Sequence, residues 1–329
     1  QYTLWTDYID LRDASLPIAP AWNAQRPAGA PRRPAQYDLD EVCAAVAAMV
    51  RDLGLARGHL GLELAALPSP ILARLRALLP DARFTDAAGH FDDLRAIKDP
   101  DELAALRRAG ELTELGLAAA IAAITPGQTE AQLSAIYQRA ILDRVAADPA
   151  LGDVRDVEGL VSVGIAGTGR TVGPGVVVKF DMQVDVAGQH SDLGRTVAIA
   201  PTPDQRALHA ALHAGLMAIR DQVRPGVTFA DLFATGMAVM RDHGFATYAR
   251  GHLGHSLGLT PNFEEPPFIA PGETRPLVAS MALSLEMPAY VLGIGAFQLE
   301  TQVVVTDDGC DVVDTLPWHL DLADWQRRA

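Results

Sequence analysis

A chain of 329 residues, 49% hydrophobic and 21% charged, has the make-up of a soluble globular protein with one large or two ordinary domains. Its net charge of −14 argues against a nucleic-acid partner and against an anionic membrane surface, and the longest apolar candidate, 277–299, is broken by Glu286 and Pro288 before it could span a bilayer. Only Cys43 and Cys310 occur, which excludes a disulfide framework and suits a reducing cytoplasm, and the segment that starts at Gln1 carries no signal-peptide pattern.

In chain order, residues 16–36 are rich in Pro, Ala and Arg and read as an irregular segment. Asp38 is a candidate N-cap with Glu41 three residues on, and Val42, Val46, Met49, Val50 and Leu53 form the apolar stripe of a helix that ends at Gly54. His59–Leu64 reads as a strand. Ser69-Pro70 opens a helix as N-cap and first-turn proline, Pro80 closes it, and Arg83-Phe84 starts another strand. Residues 1–93 are therefore expected to hold a small α/β domain, and 94–329 a second, larger one.

The larger part contains an internal repeat. In the first copy, Asp99-Pro100-Asp101-Glu102 caps a helix reaching about Ile124; Pro126-Gly127-Gln128-Thr129 turns into a second helix, with Thr129 and Gln132 as a capping box; a hairpin follows. In the second copy, Thr202-Pro203-Asp204-Gln205 caps a helix, Pro225-Gly226-Val227-Thr228 breaks it, a helix runs from Phe229 to about Gly244, and strands follow. Each copy carries carboxylates on its hairpin. From Val176 to Val186 apolar residues alternate with Val177, Lys179, Asp181, Gln183 and Asp185, the period of a half-buried strand. Folding about Val186–Ala187 sets Asp181 opposite Asp192. Ala282, Ser284 and Glu286 share a face in the second copy, and folding about Gly293 sets Glu286 opposite Glu300.

A single acidic strand face is ordinarily a solvated one. Two matched pairs facing a common space repel one another unless cations neutralise them, and two divalent ions are the natural solution. Carboxylates with one or two imidazoles suit Mn, Co, Zn or Fe. The imidazoles come from Gly251-His252-Leu253-Gly254-His255-Ser256-Leu257-Gly258-Leu259, where closely set glycines point to a shaped pocket and His255 is the candidate ligand. Such a centre ionises water and polarises a carbonyl oxygen, the logic of a metallohydrolase.

The segment from Arg95 to Gly309 resembles the pita-bread metallopeptidases: methionine aminopeptidase, aminopeptidase P, prolidase and creatinase. RAIKDPDELAALRRA, PGQTE, FD followed by SDLGRT, GHSLGL, SLEMP and QLETQVVVTDDG carry the likeness. The resemblance implies an α+β pita-bread fold of two pseudo-twofold half-domains, preceded by a shortened form of the prolidase N-terminal α/β domain. It places the metal ligands at Asp181, Asp192, His255, Glu286 and Glu300, with Asp192 and Glu300 bridging two ions and Glu286 shuttling the proton. It also implies Mn or Co as the metals, short proline-containing peptides as substrates and a homodimer.

The chain departs from the family outside those ligands. Val161–Val172 lacks the histidine usual before the first aspartate, Asn262 stands where a second histidine normally follows, with Phe263-Glu264-Glu265-Pro266 beside it, and Gln298 replaces a carboxylate-binding arginine. His252, Arg250 or Arg170 are candidates to compensate, His252 as a catalytic residue. Xaa-Pro dipeptide hydrolysis is the expected activity; an Xaa-Pro or broader aminopeptidase, and a catalytically silent binding protein, are the alternatives. Trp318, Leu320, Leu322 and Trp325 are read as packing a terminal segment or a subunit contact, Asp185 as a residue behind the ligands or at the rim, and Arg32-Arg33 as too short for a nucleic-acid patch. His190 is given no role.

Overall fold

The computed structural model describes residues 38–165, 169–259 and 264–327. The irregular segment 16–36, Arg32-Arg33, Asn262 and Phe263 lie outside the described residues. The chain divides into two compact units, Gln1–Phe91 and Asp92–Ala329.

The smaller unit begins with α1 (Leu39–Asp52), whose Asp38 side chain accepts from the amides of Asp40 and Glu41, satisfying two donors that the first helical turn leaves open. Strand β1 (His59–Leu62), helix α2 (Ser69–Leu78) and strand β2 (Arg83–Asp86) follow, with β1 and β2 parallel. Ser69 is not the cap expected of it. The Pro68 carbonyl receives the Ile71 and Leu72 amides, so the helix starts one residue early and the serine lies inside it. Ala47, Val50 and Leu79 make the core of this unit.

Helix α3 (Ala88–Ala96) leads into the repeat: α4 (Pro100–Ala122), α5 (Glu130–Ala147), β3 (Val154–Val163), β4 (Val177–Val186), β5 (Gln189–His190) and β6 (Leu193–Ala198). Then come α6 (Pro203–Gln222), α7 (Phe229–Asp242), β7 (Gly254–Ser256), β8 (Glu265–Phe268), β9 (Ala282–Glu286), β10 (Ala289–Val291), β11 (Gly295–Phe297), β12 (Glu300–Val305), β13 (Cys310–Val312) and α8 (Leu322–Gln326). All four repeat helices open with capping boxes, Asp99/Glu102, Thr129/Gln132, Thr202/Gln205 and Thr228/Asp231, and the two turns between helices both place a glycine, Gly127 and Gly226, at φ +90°. The repeat seen in the sequence is thus a repeat of local backbone geometry.

Nine of these strands form one sheet in the order β3-β4-β6-β12-β9-β7-β8, with β5 on β4 and β13 on β12, while β10 and β11 pair as a separate two-stranded ribbon. Each helix pair covers its own half. Leu117 and Ile121 of α4 and Leu133, Tyr137 and Ile141 of α5 pack on Val178, Phe180, Met182 and Val184 of β4; Leu212, Leu216, Phe229 and Leu232 of α6 and α7 pack with Leu283, Leu285 and Val303 of β9 and β12. Burying each such side chain contributes about 1.5–3 kcal/mol. With the apolar set of β4 under the helices, the alternate set, Lys179, Asp181, Gln183 and Asp185, faces the other way.

The half-sheets meet at one register pair, Gly194 of β6 with Glu300 of β12. Gly194 also pairs with Asp181, and Glu300 with Glu286, so Asp181, Gly194, Glu300 and Glu286 stand in a single row across four strands. The expected Glu286–Glu300 pairing is present. The expected Asp181–Asp192 pairing is not: Val186 pairs with Gln189 across Ala187-Gly188, both at positive φ, and this two-residue turn moves the register so that Asp181 meets Gly194. Asp192 lies just ahead of β6. Near the C-terminus Leu320 and Leu322 are buried, Trp318 stacks on the Arg195 guanidinium and Trp325 donates to the His319 carbonyl, the terminal packing expected of these residues.

Candidate metal centre

The row fills only because its second member has no side chain. A Cβ on Gly194 would come within 2.9 Å of the Glu300 Cβ and 3.0 Å of its Oε2, so glycine leaves the space into which the Glu300 carboxylate folds. A comparable restriction fixes the histidine. Gly254, at φ +133°, brings β7 so close to β9 that a Cβ would strike the Ser284 carbonyl oxygen, and this sets His255 level with Ser284, one strand beyond Glu286.

Two groups of ligand-type atoms result. Asp192, His255 and Glu300 each offer an atom within 4.8 Å of the others, and so do His252, Glu264 and Glu286. His255 Nδ1 lies 2.9 Å from the Ser256 carbonyl, an acceptor only, so Nδ1 carries the proton and Nε2 points at Asp192 Oδ2, 3.5 Å away. Ser284 Oγ donates to Glu300 Oε1, and Gln298 Nε2 donates to Glu286 Oε2 at 2.8 Å and to Glu300 Oε2 at 3.2 Å. His252 bridges the second group, with Nδ1 3.1 Å from Glu286 Oε1 and Nε2 3.1 Å from Glu264 Oε2. Asp181 stands in neither group: Lys179 Nζ donates to its Oδ2 at 2.8 Å. Asp181, Asp192 and His255 line a cavity of about 620 Å³, along with Glu158, Glu264 and Glu265.

The electrostatics are those of a site short of positive charge. Burial, and then the charges of Asp192, Asp181 and Glu286, push the Glu300 carboxyl well above its ordinary range. Burial raises Asp192 to about 6, an effect that the neighbouring Asp181 adds to and His255 opposes. Burial alone would depress His255, but the Asp192 carboxylate more than reverses it and lifts the imidazole to about 9. Burial also acts to raise Glu286, yet His252, His255 and Gln298 together hold it below its usual value. Glu286 Oε1 and His252 Nδ1 face each other at 3.1 Å, and neither buried atom has another partner among the described residues. Four carboxylates crowded at this depth, with acceptor atoms left over, fit a divalent-cation centre in number and in donor chemistry.

Other sequence candidates fall outside the row. Arg250 lies with its guanidinium 5.8 Å from the Tyr290 ring and its Nε buried without a partner among the described residues; Arg170 is exposed and lines a separate small cavity with Leu292. Asp185 receives the Gly188 amide at the turn and stands 3.6 Å from His190 Nε2, and of the two it is His190 that lines the cavity. Sequence reasoning gave no role to Lys179, Gly194 or Glu264. The local trace of the first is slight: a lysine on the polar face of an alternating strand, two residues before the candidate ligand.

Comparison with known proteins adds independent findings. The profile of metallopeptidase family M24 matches residues 104–307. An Xaa-Pro dipeptidase of Lactobacillus helveticus is 29% identical over 239 residues, covering 71% of this chain and 64% of that protein, so the match spans less than two thirds of the relative's length. The crystal structure of dipeptidase PepE from Mycobacterium ulcerans is 30% identical, with a TM-score of 0.75 over 84% of this chain and 75% of its own. The recombinant prolidase of Thermococcus sibiricus is 21% identical and shares the fold, with a TM-score of 0.76 over 85% of this chain and 76% of its own. The larger unit has the pita-bread fold.

Proposed function

The chain belongs to metallopeptidase family M24, and on that premise we propose that it hydrolyses the peptide bond before proline in Xaa-Pro dipeptides, using two divalent ions, manganese or cobalt, held by Asp181, Asp192, His255, Glu286 and Glu300. What supports this reading above all is the row Asp181–Gly194–Glu300–Glu286, with Asp192 and His255 set on neighbouring backbone and lining one cavity together with Asp181. Bound metal supplies Lewis acidity, polarising a carbonyl oxygen and acidifying water.

The protein groups position and move protons. Glu286, tethered at Oε2 by Gln298, keeps Oε1 toward His252 Nδ1 and is the residue assigned to carry the proton to the departing proline nitrogen. His252, whose pKa the Glu286 contact raises, can hold a proton at Nδ1 beside that oxygen, and Glu264 on its other nitrogen fixes the ring. Ser284 and Gln298 hold both oxygens of Glu300. The smaller unit is assigned as a prolidase-type N-terminal domain, and the assembly as a cytoplasmic homodimer.

An Xaa-Pro aminopeptidase acting on longer peptides is the second reading. Gln298 favours it, because its amide nitrogen is occupied by Glu286 and Glu300 and presents no cation to a dipeptide's carboxylate. A panel of Xaa-Pro, Xaa-Pro-Yaa and Met-Ala-Yaa peptides, assayed with Mn²⁺, Co²⁺ and Zn²⁺, separates the two. The proposal expects Xaa-Pro to be cleaved fastest; cleavage of none of the proline peptides by metal-loaded protein refutes both readings.

A further inference from the structure

The row of paired residues does not stop at Asp181. Leu160 of β3 is the register partner of Asp181, so the line across the sheet runs Leu160–Asp181–Gly194–Glu300–Glu286. Residues paired directly across two strands project to the same face, which puts a leucine on the polar face beside the candidate ligands. Leu160 is 52% exposed and lines the cavity. Two residues back along the same face stands Glu158, the partner of Gln183, which lines the cavity as well.

The metal centre explains neither residue. A leucine offers no ligand atom, and Glu158 belongs to neither group of ligand-type atoms. An aliphatic surface followed by a carboxylate about 6.5 Å farther along the strand is the complement of a lysine or arginine side chain, whose methylene stem ends in a cation. Two more carboxylates line the flank toward β8: Glu264, which faces His252, and Glu265, which shares the space over Gly258 with the Lys98 ammonium. Among the described residues that line the cavity there is no lysine or arginine, so an acidic substrate side chain would meet carboxylates on both flanks.

The direction of the row says which part of a peptide reaches β3. Glu286, at the far end, is assigned to protonate the departing proline nitrogen, so the proline lies toward Glu286 and the residue before it toward Asp181 and Leu160. We propose that β3 selects the residue before the scissile bond, Leu160 receiving the aliphatic stem and Glu158 the cation of a lysine or arginine. Lys-Pro and Arg-Pro are then the preferred class of substrate. The inference rests on the Xaa-Pro reading and adds the identity of Xaa to it.

Comparing kcat/KM for Lys-Pro, norleucine-Pro and Glu-Pro with the Mn²⁺-loaded full chain tests it, since norleucine has the lysine stem without the cation. The wild type is expected to favour Lys-Pro over norleucine-Pro at least about tenfold, the scale of one hydrogen bond to a charged group, and to cleave Glu-Pro slowest. Glu158→Gln should bring Lys-Pro to within about twofold of norleucine-Pro, and Glu158→Lys should place Glu-Pro ahead of Lys-Pro. Leu160→Asn should lower Lys-Pro and norleucine-Pro together. Calorimetric titration of the metal-stripped chain with Lys-Pro reads the same contact without turnover, and Glu158→Gln should weaken that binding about tenfold. Lys-Pro cleaved no faster than norleucine-Pro by the wild type, or a lysine preference that survives in folded Glu158→Gln, overturns the inference and leaves Xaa-Pro hydrolysis standing. Failure to cleave any proline peptide refutes the Xaa-Pro reading and this inference with it.

Discussion

In the first half of the larger unit Asp181 meets Lys179 two residues back along β4; in the second half Glu286 has Ser284 at the matching place on β9. Both halves are otherwise built alike, with two capped helices over a half-sheet and a hairpin bringing a carboxylate to the shared row. The difference shows where a duplicated fold is free to diverge. Helix caps and core faces are constrained in each half by the same local physics, whereas a side chain beside the row answers only to its neighbours there. The helices differ in the same way. Counting from the first-turn prolines Pro100 and Pro203, the fully buried Leu106 of α4 corresponds to His209 of α6, which is buried but titratable.

The largest effect should come from the row itself. Glu300→Gln, at the one residue joining both half-sheets, is expected to reduce Xaa-Pro hydrolysis on the order of a thousandfold with Mn²⁺ supplied, as chelation should in the wild type. Activity within tenfold of wild type would show that the row is not the reaction centre.

The helix difference gives the next largest. Burial, with His213 and His319 adding to it, lowers the His209 pKa to about 4 from 6.5, so the folded state holds the imidazole neutral while the unfolded chain takes up a proton. Its contribution is complete above pH 6.5 and is lost as pH falls from 6.5 to 4, a loss of about 3 kcal/mol. His209→Leu, which gives α6 the residue of α4, should remove that part of the acid sensitivity; urea unfolding at pH 7.5 and pH 4.5 measures it, and identical pH dependence in variant and wild type would exclude the assignment. Gly194→Ala should cost about 1–3 kcal/mol by overpacking against Glu300 and Gln298, and should weaken Mn²⁺ binding as well. The smallest effect tests the likeness of the halves: Thr129→Ala and Thr228→Ala should each cost about 1 kcal/mol, because each removes the same capping bond, and clearly unequal costs would break the equivalence.

What could be read from the sequence was what depends on near neighbours. The caps at Asp99, Thr129 and Thr202 are patterns four residues long, and each forms as read; the Thr228 box, read only as a helix break, has the same pattern. The turn at Gly293 also gave the right register, since Glu286 meets Glu300. The turn at Ala187-Gly188 did not, because Ala187 adopts φ +54°, a conformation that alanine seldom takes and that no local pattern signals. Lys179 was missed for a longer-range reason. A lysine in an alternating strand ordinarily reaches water, and here it is met by Tyr290, 111 residues further along the chain. Gly194 has no pattern to read, since what it does is leave room for a side chain of another strand.

Among the described residues Gly194 and Glu300 are the one ladder pair between β6 and β12, and beside it Arg195 Nη1 donates to the Glu300 carbonyl at 2.7 Å and Thr196 Oγ1 to the Gln298 carbonyl at 3.1 Å. The first half contributes Asp192 and the second His255 and Glu300, so any ion these residues hold acts as a further rivet through that narrow seam. Its binding free energy is then also adhesion between the halves. Stripping it would loosen the seam before it loosened either core, and amide hydrogen exchange at Gly194 and Glu300 is where that loosening would first register.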